Sequence, residues 1–576
     1  MKQQIGNFLI RRLEEAGIRH IFGVPGDYNL ELMQQLEDRG APAWIGNCNE
    51  LNASYATDAY ARINGLGALI VTHGVGTLSA INGVAGAYCE HVPVICISGS
   101  VPLKSVQRGE MMHHTVADLE KGDLCRMFAE VTAAQTRLTP ENAVAEIDRV
   151  ILTAWRQKRP VYMELPSDIG CLAIEVPDEP LSLEMIPSDQ LNLKICSEMI
   201  IERLRNAKTP AFLLDIDSMR FDISQQIMEL AERFSMRVAI LNCAKGAVPE
   251  SSSLFAGTYG GVASAPATRE IVEGSDCLLT IGYRRIESTT GFFTDKLPDS
   301  AIHLNDSHVD TGNKNYQAVF IAELLQDILD HSLSVVAKKE VHAPSKPAAL
   351  VLSDDPLTQN EYWKHIRAFL RPGDVLVVED GTASSALSEM TLPDGITVVT
   401  QAFVYCSIGY ATAALLGAIL ASSGRRHILL TGDGSLQLTV QELSTIIRHD
   451  FKPYIFVVNN DGYTVERAVL GKDAKYNDIA NWRYTELPKV FDRNSKAETY
   501  VVETTNELQK ALDSPHSQMV FVEALTDKDD APLTLILGGH AIAATDYGPR
   551  GPQSAPNAQI PLPKEVAARL KQAGIA

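Results

Sequence analysis

The feature that most constrains this chain is an alternation of short apolar runs with segments of helical period, repeated along most of its length. Ile5, Phe8, Leu9 and Leu13 recur at helical spacing, and Gly17 stands where a C-terminal cap belongs. Apolar runs at 20–24, 68–72 and 93–98 follow, and Thr139-Pro140-Glu141 predicts a helix start. The pattern resumes at 211–215, 238–241, 277–282 and 301–305, and again at 375–379, 396–400, 427–431, 454–459 and 519–525. Such alternation predicts parallel sheets covered by helices, so the expected class is α/β with three doubly wound domains. At about 150 residues per domain, 576 residues leave ample room. Proline-marked polar segments suggest domains at 1–180, 181–336 and 357–544, a Lys-, Ala- and Pro-rich linker at 337–356, and an irregular tail with a short helix at 545–576.

Charge removes several functions. Lys plus Arg is 51 against 71 for Asp plus Glu, a net charge of −20 that lacks the basic footprint of nucleic-acid or anionic-membrane binding. Nine scattered cysteines without a CxxC pair argue against a disulfide scaffold and suit a reducing cytosol. The N-terminus opens directly into a helical pattern without a secretory apolar stretch. Residues 396–424 carry no charge and could span a bilayer by length, but Gly, Ser, Thr and Gln interrupt them. A buried strand, a loop and a buried helix are expected there instead. A cytoplasmic enzyme is the resulting expectation.

The third unit carries the chemistry. Its run at 427–431 ends in Gly432-Asp433-Gly434-Ser435, with a helical pattern established by Leu438. Glycines at a strand-to-helix turn let backbone approach a phosphate, although Gly-Asp-Gly alone is ordinary turn chemistry. The next run, 454–458, ends in Asn459-Asn460-Asp461-Gly462. Ligands bind beside such carboxyl ends in open parallel sheets. Asp433, the Asn460 carbonyl and a backbone carbonyl near Gly462 would offer magnesium three hard oxygens, with diphosphate and water completing six. Gly432-Asp433-Gly434 followed after 24 residues by Asn459-Asn460 is the thiamin diphosphate fingerprint.

With these motifs the chain resembles the thiamin diphosphate-dependent 2-oxo acid decarboxylases, the pyruvate, indolepyruvate, phenylpyruvate and branched-chain enzymes, from about residue 3 to about residue 535. The resemblance is carried in both outer domains, by Gly26-Asp27-Tyr28-Asn29, Asn47 to Ala53, Gly83 to Tyr88, His113-His114-Thr115, Ser407-Ile408-Gly409-Tyr410, and Gly432 to Asn460 with Gly462-Tyr463-Thr464-Val465-Glu466. It implies a pyrimidine-binding, a central and a diphosphate-binding domain. It also implies a cofactor held between two chains, hence a homodimer at minimum and commonly a homotetramer.

Matched residue by residue, the resemblance makes Asp27, Glu50, His113, His114 and Glu466 catalytic. Glu50 would act on the aminopyrimidine, Ile408 would fold the cofactor, and the Asp27–His113–His114 group would deliver protons to the enamine left by CO2 loss. Further cofactor contacts fall on Thr72, Asp380, Gly381, Thr382, Cys406, Gly432, Asp433, Gly434, Ser435, Asn460, Gly462, Tyr463, Thr464 and Val465. Asp433, Asn460 and Gly462 would hold Mg2+. Two histidines on a regular strand point to opposite faces, so 109–115 is expected to be an irregular loop.

The pocket departs from the pyruvate pattern. Ser384 and Ser385 stand where large aromatics are common, and Asp380, His73, Val465 and Val469 are the other expected lining residues. Asp380, His73, Lys121 and Tyr405-Cys406 are all unusual at their positions. A roomy pocket for an aryl, branched or polar-tailed 2-oxo acid follows, with a cationic or hydrogen-bonding tail as the sharper form. The alternatives are a carboligase resembling acetohydroxyacid synthase, and a catalytically silent homologue that keeps the fold.

Overall fold

The computed structural model describes residues 1–118, 122–332, 349–547, 559–564 and 567. Three large sheets organise them, beside a two-stranded antiparallel one of Lys2–Gln4 and Ala173–Glu175. The N-terminal sheet runs Ala43–Gly46, His20–Gly23, Gly67–Thr72, Val94–Ser100, Val161–Pro166, Gln135–Arg137, all parallel. The C-terminal sheet runs Thr397–Val399, Val375–Val378, His427–Gly432, Tyr454–Asn459, Val520–Leu525, Glu498–Val502, also all parallel. Counting strands along the chain, both have the order 2-1-3-4-6-5. The central sheet is parallel from Phe255–Tyr259 through Ile302–Leu304, but His308–Asp310 and Asn315–Gln317 add antiparallel strands at one edge.

Each apolar run named from the sequence is a strand. Some unforeseen ones are short or polar, as at Gln135–Arg137 and Glu498–Val502, where an edge position demands little apolar patterning; Val161–Pro166, buried throughout, is also unforeseen. Two helix starts move. The Thr139 segment is a turn in which Thr139 and Asn142 bond reciprocally, and the helix begins at Ala143. Conversely, the helix after Gly432 begins at Asp433, well before Leu438, because Asp433 Oδ1 accepts the Gly434 N–H at 2.8 Å. Of the expected linker, 337–348 lie outside the described residues. The helix Leu533–Tyr547 crosses the expected start of the tail, most of which also lies outside them.

The uncharged stretch becomes the strand Thr397–Val399 and the buried helix Tyr410–Ala421. Among the described residues no helix is long and apolar enough to cross a membrane. That helix packs on Glu50–Asn64, joining the outer domains. The approach is so close that a Cβ on Gly417 would lie 1.9 Å from the Ala56 carbonyl oxygen. Buried polar groups fix the register: Tyr410 Oη donates to Asp58 Oδ1 at 2.5 Å, and Arg62 Nε pairs with the same carboxylate at 2.6 Å.

Candidate functional site

In the N-terminal domain the expected catalytic residues all follow carboxyl ends of strands. Asp27 lies beyond His20–Gly23, Glu50 beyond Ala43–Gly46, Thr72 and His73 at the end of Gly67–Thr72, and His113-His114 in an irregular loop beyond Val94–Ser100. The chain order reverses between His20–Gly23 and Gly67–Thr72, so these loops flank a topological switch point. His114 has φ 61°, and its carbonyl sits against Gly74, where a Cβ would come within 1.7 Å. Only glycine at 74, itself at φ 63°, lets the loop close down on the sheet.

The loop brings both imidazoles to one carboxylate. His113 Nε2 is 2.6 Å from Asp27 Oδ2, and His114 Nε2 is 3.8 Å from Asp27 Oδ1. The His113 and Asp27 side chains are 57% and 47% exposed within the single chain, so the group faces outward. Tyr28 stacks on the His113 ring at 4.8 Å, and its hydroxyl lies 3.1 Å from His113 Nδ1. His73 meets Tyr28 edge-on at 6.2 Å, and burial holds its pKa down. Glu50 opens its helix behind the Asn49 cap, half-buried. Nearby, Thr72 Oγ1 and His73 Nδ1 are buried without a hydrogen-bond partner. Such atoms can pair with a ligand's polar group or with water.

The C-terminal domain supplies an oxygen cage. Asp433 is 2% exposed, and its Oδ2 accepts the Gly462 N–H at 3.0 Å. Burial pushes its pKa up to about 6. As placed, the Asn460 side-chain oxygen is 3.0 Å from the Gly462 carbonyl oxygen and 3.3 Å from Asp433 Oδ1. Three oxygens then converge with no proton between them; an inverted amide would bond them, and a hard cation would bind all three as they stand. The donor set therefore fits magnesium. Gly432, Ser435, Tyr463 and Thr464 surround the cage, Thr464 donating to the Lys528 carbonyl at 3.0 Å. Among the described residues no hydrogen bond or ion pair joins this cage to the Asp27–His113–His114 group.

Between the cage and the central domain lies a cavity of about 190 Å³. Asp380, Gly381, Ser384, Ser385, Cys406 and Val465 line one end. Val262 and Phe292 of the central domain and Leu535, Leu537 and Ile542 of the last helix line the rest. Ser384 Oγ is 3.3 Å from Asp380 Oδ1, and burial raises the Asp380 pKa, with Glu466 adding to the rise. Thr382 begins the next helix behind Gly381. Two expected lining residues are elsewhere. His73 belongs to the N-terminal group. Val469 is buried under the tail, where Gln559 Nε2 donates to the Ala468 and Val469 carbonyls at 3.2 and 2.8 Å. Glu466 is exposed and Ile408 is 38% exposed. Lys121 lies outside the described residues.

Three family models match the chain in order: the N-terminal TPP binding domain of thiamine pyrophosphate enzymes over residues 3–120, their central domain over 197–331, and their C-terminal TPP binding domain over 382–524. A pyruvate decarboxylase of Aspergillus fumigatus is 36% identical, covering 94% of this chain and 97% of its own. Pyruvate decarboxylase isozyme 2 of Saccharomyces cerevisiae is 34% identical over 94% of this chain and 99% of its own, and an alpha-keto-acid decarboxylase of Mycobacterium leprae 36% over 92% and 94%. The chain belongs to the thiamin diphosphate-dependent 2-oxo acid decarboxylases.

Several residues of this decarboxylase escaped sequence reasoning. Glu442, fully buried, accepts from Asn47 Nδ2 and Asn52 Nδ2, both at 2.9 Å, and from the Cys48 N–H at 3.3 Å. A C-terminal carboxylate thus holds the loop that carries Glu50. Arg467, also buried, donates to the Asn460 carbonyl at 3.0 Å and the Asp461 carbonyl at 2.6 Å, clamping the cage loop. Glu442 gives no sign of partners some 390 residues away, and a lone arginine in a helix pattern does not say that it folds back onto the loop before it. The central-domain lining at Val262 and Phe292 has no local signal at all.

Proposed function

We propose that this enzyme releases CO2 from a 2-oxo acid with a tail larger than methyl and forms the aldehyde, using thiamin diphosphate and Mg2+ in a site shared by two copies of the chain. The observation that carries the reading is the Asp27–His113–His114 group: a proton must replace the carboxyl group, and two imidazoles beside one carboxylate support its delivery there. The carboligase group generally lacks this histidine pair, and a silent homologue would have no reason to keep it.

When bound, thiamin diphosphate supplies the electron sink for the lost carboxyl group. Asp433, Asn460 and the Gly462 carbonyl would hold the metal and, through it, the diphosphate. Glu50 would bind the aminopyrimidine near Thr72. Ile408 would pack beneath the cofactor, and Glu466 would lie near the departing carboxylate. Sharing between copies is supported by apolar side chains exposed beside both half-sites: Val75 and Leu78 in the N-terminal domain, Ile408 and Leu438 in the C-terminal one. A homodimer is the minimum unit, with a homotetramer the larger assembly to look for, and a cytoplasmic location matches the composition.

The cavity sharpens the substrate. Ser384 Oγ donates to Asp380 Oδ1 at 3.3 Å, a pair suited to a hydrogen-bonding tail, whereas a cationic tail would lose its hydration among the apolar walls. The leucine, phenylalanine and isoleucine walls favour aryl or branched tails. The test is CO2 release from pyruvate, 2-oxoisovalerate, phenylpyruvate, indolepyruvate and a basic-tailed 2-oxo acid, with and without thiamin diphosphate and Mg2+. Cofactor-dependent release, fastest with an aryl or branched substrate and slowest with the basic one, is expected. No release from any substrate by protein that binds the cofactor would overturn the decarboxylase reading.

A further inference from the structure

The Tyr28 hydroxyl occupies an unusual position. It lies 3.1 Å from His113 Nδ1 and 3.2 Å from the carbonyl oxygen of the same residue. The other ring nitrogen, Nε2, is 2.6 Å from Asp27 Oδ2. Both nitrogens of His113 are therefore engaged in hydrogen bonds.

A hydroxyl at Nδ1, able both to donate and to accept, fits every protonation form of the ring. With the proton on Nε2 alone, Nδ1 is an acceptor and Tyr28 O–H donates to it. With both nitrogens protonated, Nδ1–H donates to Tyr28 Oη, and the phenolic O–H turns to the His113 carbonyl oxygen. When the Nε2 proton then crosses to Asp27 Oδ2, Asp27 becomes a neutral acid and His113 a neutral ring protonated on Nδ1, still donating to Tyr28 Oη. No bonds other than N–H and O–H change, and each form keeps both ring nitrogens in a hydrogen bond.

We propose that Tyr28 is a positioning residue whose hydroxyl lets His113 store a proton for Asp27 without moving its ring. This rests on the proposed role of the Asp27–His113–His114 group. The ring is held in plane by the Tyr28 stack at 4.8 Å and 21°. Burial keeps the Tyr28 pKa above its ordinary value, so the hydroxyl retains its proton through the neutral range. The charged and titratable groups facing His113 are Asp27 at Nε2, Tyr28 at Nδ1 and His114, whose ring is 4.6 Å away, with His73 beyond Tyr28.

The test is Tyr28→Phe, which keeps the stacking ring and removes only the hydroxyl. The doubly protonated form then loses a charge-assisted bond and the neutral form a weaker one. In the cofactor-free chain, the His113 Cε1 proton signal should reach its half-shift at a pH lower by about half to one unit. In the loaded enzyme the kcat–pH curve for aldehyde release should move down by the same interval. That is about a 3- to 10-fold loss of kcat on its acid-requiring side, with KM changed less than about 2-fold. Superimposable titrations and pH curves for wild type and variant would overturn the proposal. If neither protein releases CO2 but the titration shifts, the decarboxylase reading fails while the role of Tyr28 at His113 stands.

Discussion

The two outer domains have the same strand order and open their sites at the same topological point, yet they treat acidic side chains in opposite ways. After the first strand of the N-terminal sheet comes Asp27, about half exposed and set between two imidazoles. After the first strand of the C-terminal sheet come Glu379, fully buried, and Asp380, packed against Ser384. One loop projects outward and holds exchangeable protons; the other is built into the protein and holds fixed dipoles. Proton transfer needs groups that change charge freely, whereas binding a diphosphate and a metal needs groups that do not move. One topology serves both because the loops, not the strands, carry the chemistry.

The widest separation between the halves should come from one mutation in each. Asp433→Ala removes the centre of the cage, and calorimetric affinity for thiamin diphosphate with Mg2+ should fall about 100-fold or more. His114→Gln should leave that affinity and the thermal midpoint nearly unchanged while cutting kcat about 100-fold. If both variants lose affinity equally, the division of labour is wrong.

A second contrast lies in pH. Burial lifts the Glu379 pKa to about 8, although its oxygens accept the Ala411 and Asp380 N–H groups at 3.1 Å. The folded chain therefore holds this proton across a range in which the unfolded chain has released it. Glu379 favours folding at low pH, and that contribution disappears as pH rises from the ordinary carboxylate range through about 8. Urea unfolding of the cofactor-free protein should show a loss of roughly 3–5 kcal/mol across that interval. Glu379→Gln should flatten the slope.

The smallest effect tests the outermost contact of the C-terminal half. Gln559→Ala removes the amide that covers the Ala468 and Val469 carbonyls at the end of the Glu466 helix. Thermal unfolding should report a loss of about 0.5–1.5 kcal/mol, with kcat little changed. A large drop in kcat instead would mean that the tail positions Glu466.

Much of this was legible in the sequence because strand ends and glycine turns are local signals. The runs at 427–431 and 454–459, with the Asp433 and Asn460 that follow them, predict a cage of oxygens, and the fold assembles one. The irregular loop for His113-His114 follows from a steric argument about strands, and its backbone is irregular. His73 and Val469 fell in other surroundings than the cavity, since sequence position near a site does not say which way a side chain faces.

By itself, the sequence determined the α/β class, the order of the strands' apolar runs and the residues able to do acid–base and metal chemistry, since these depend on periodicity and side-chain identity. Only the tertiary structure decided that Glu442 reaches across domains to the Glu50 loop, that Arg467 clamps the loop at 460–461, and that Tyr28 covers the second nitrogen of His113. The physical reason is that a hydrogen bond needs its partners within about 3 Å. Whether the partner is 7 positions away, as for Arg467 and Asn460, or 395, as for Glu442 and Asn47, residue spacing does not foretell which pairs packing will bring that close.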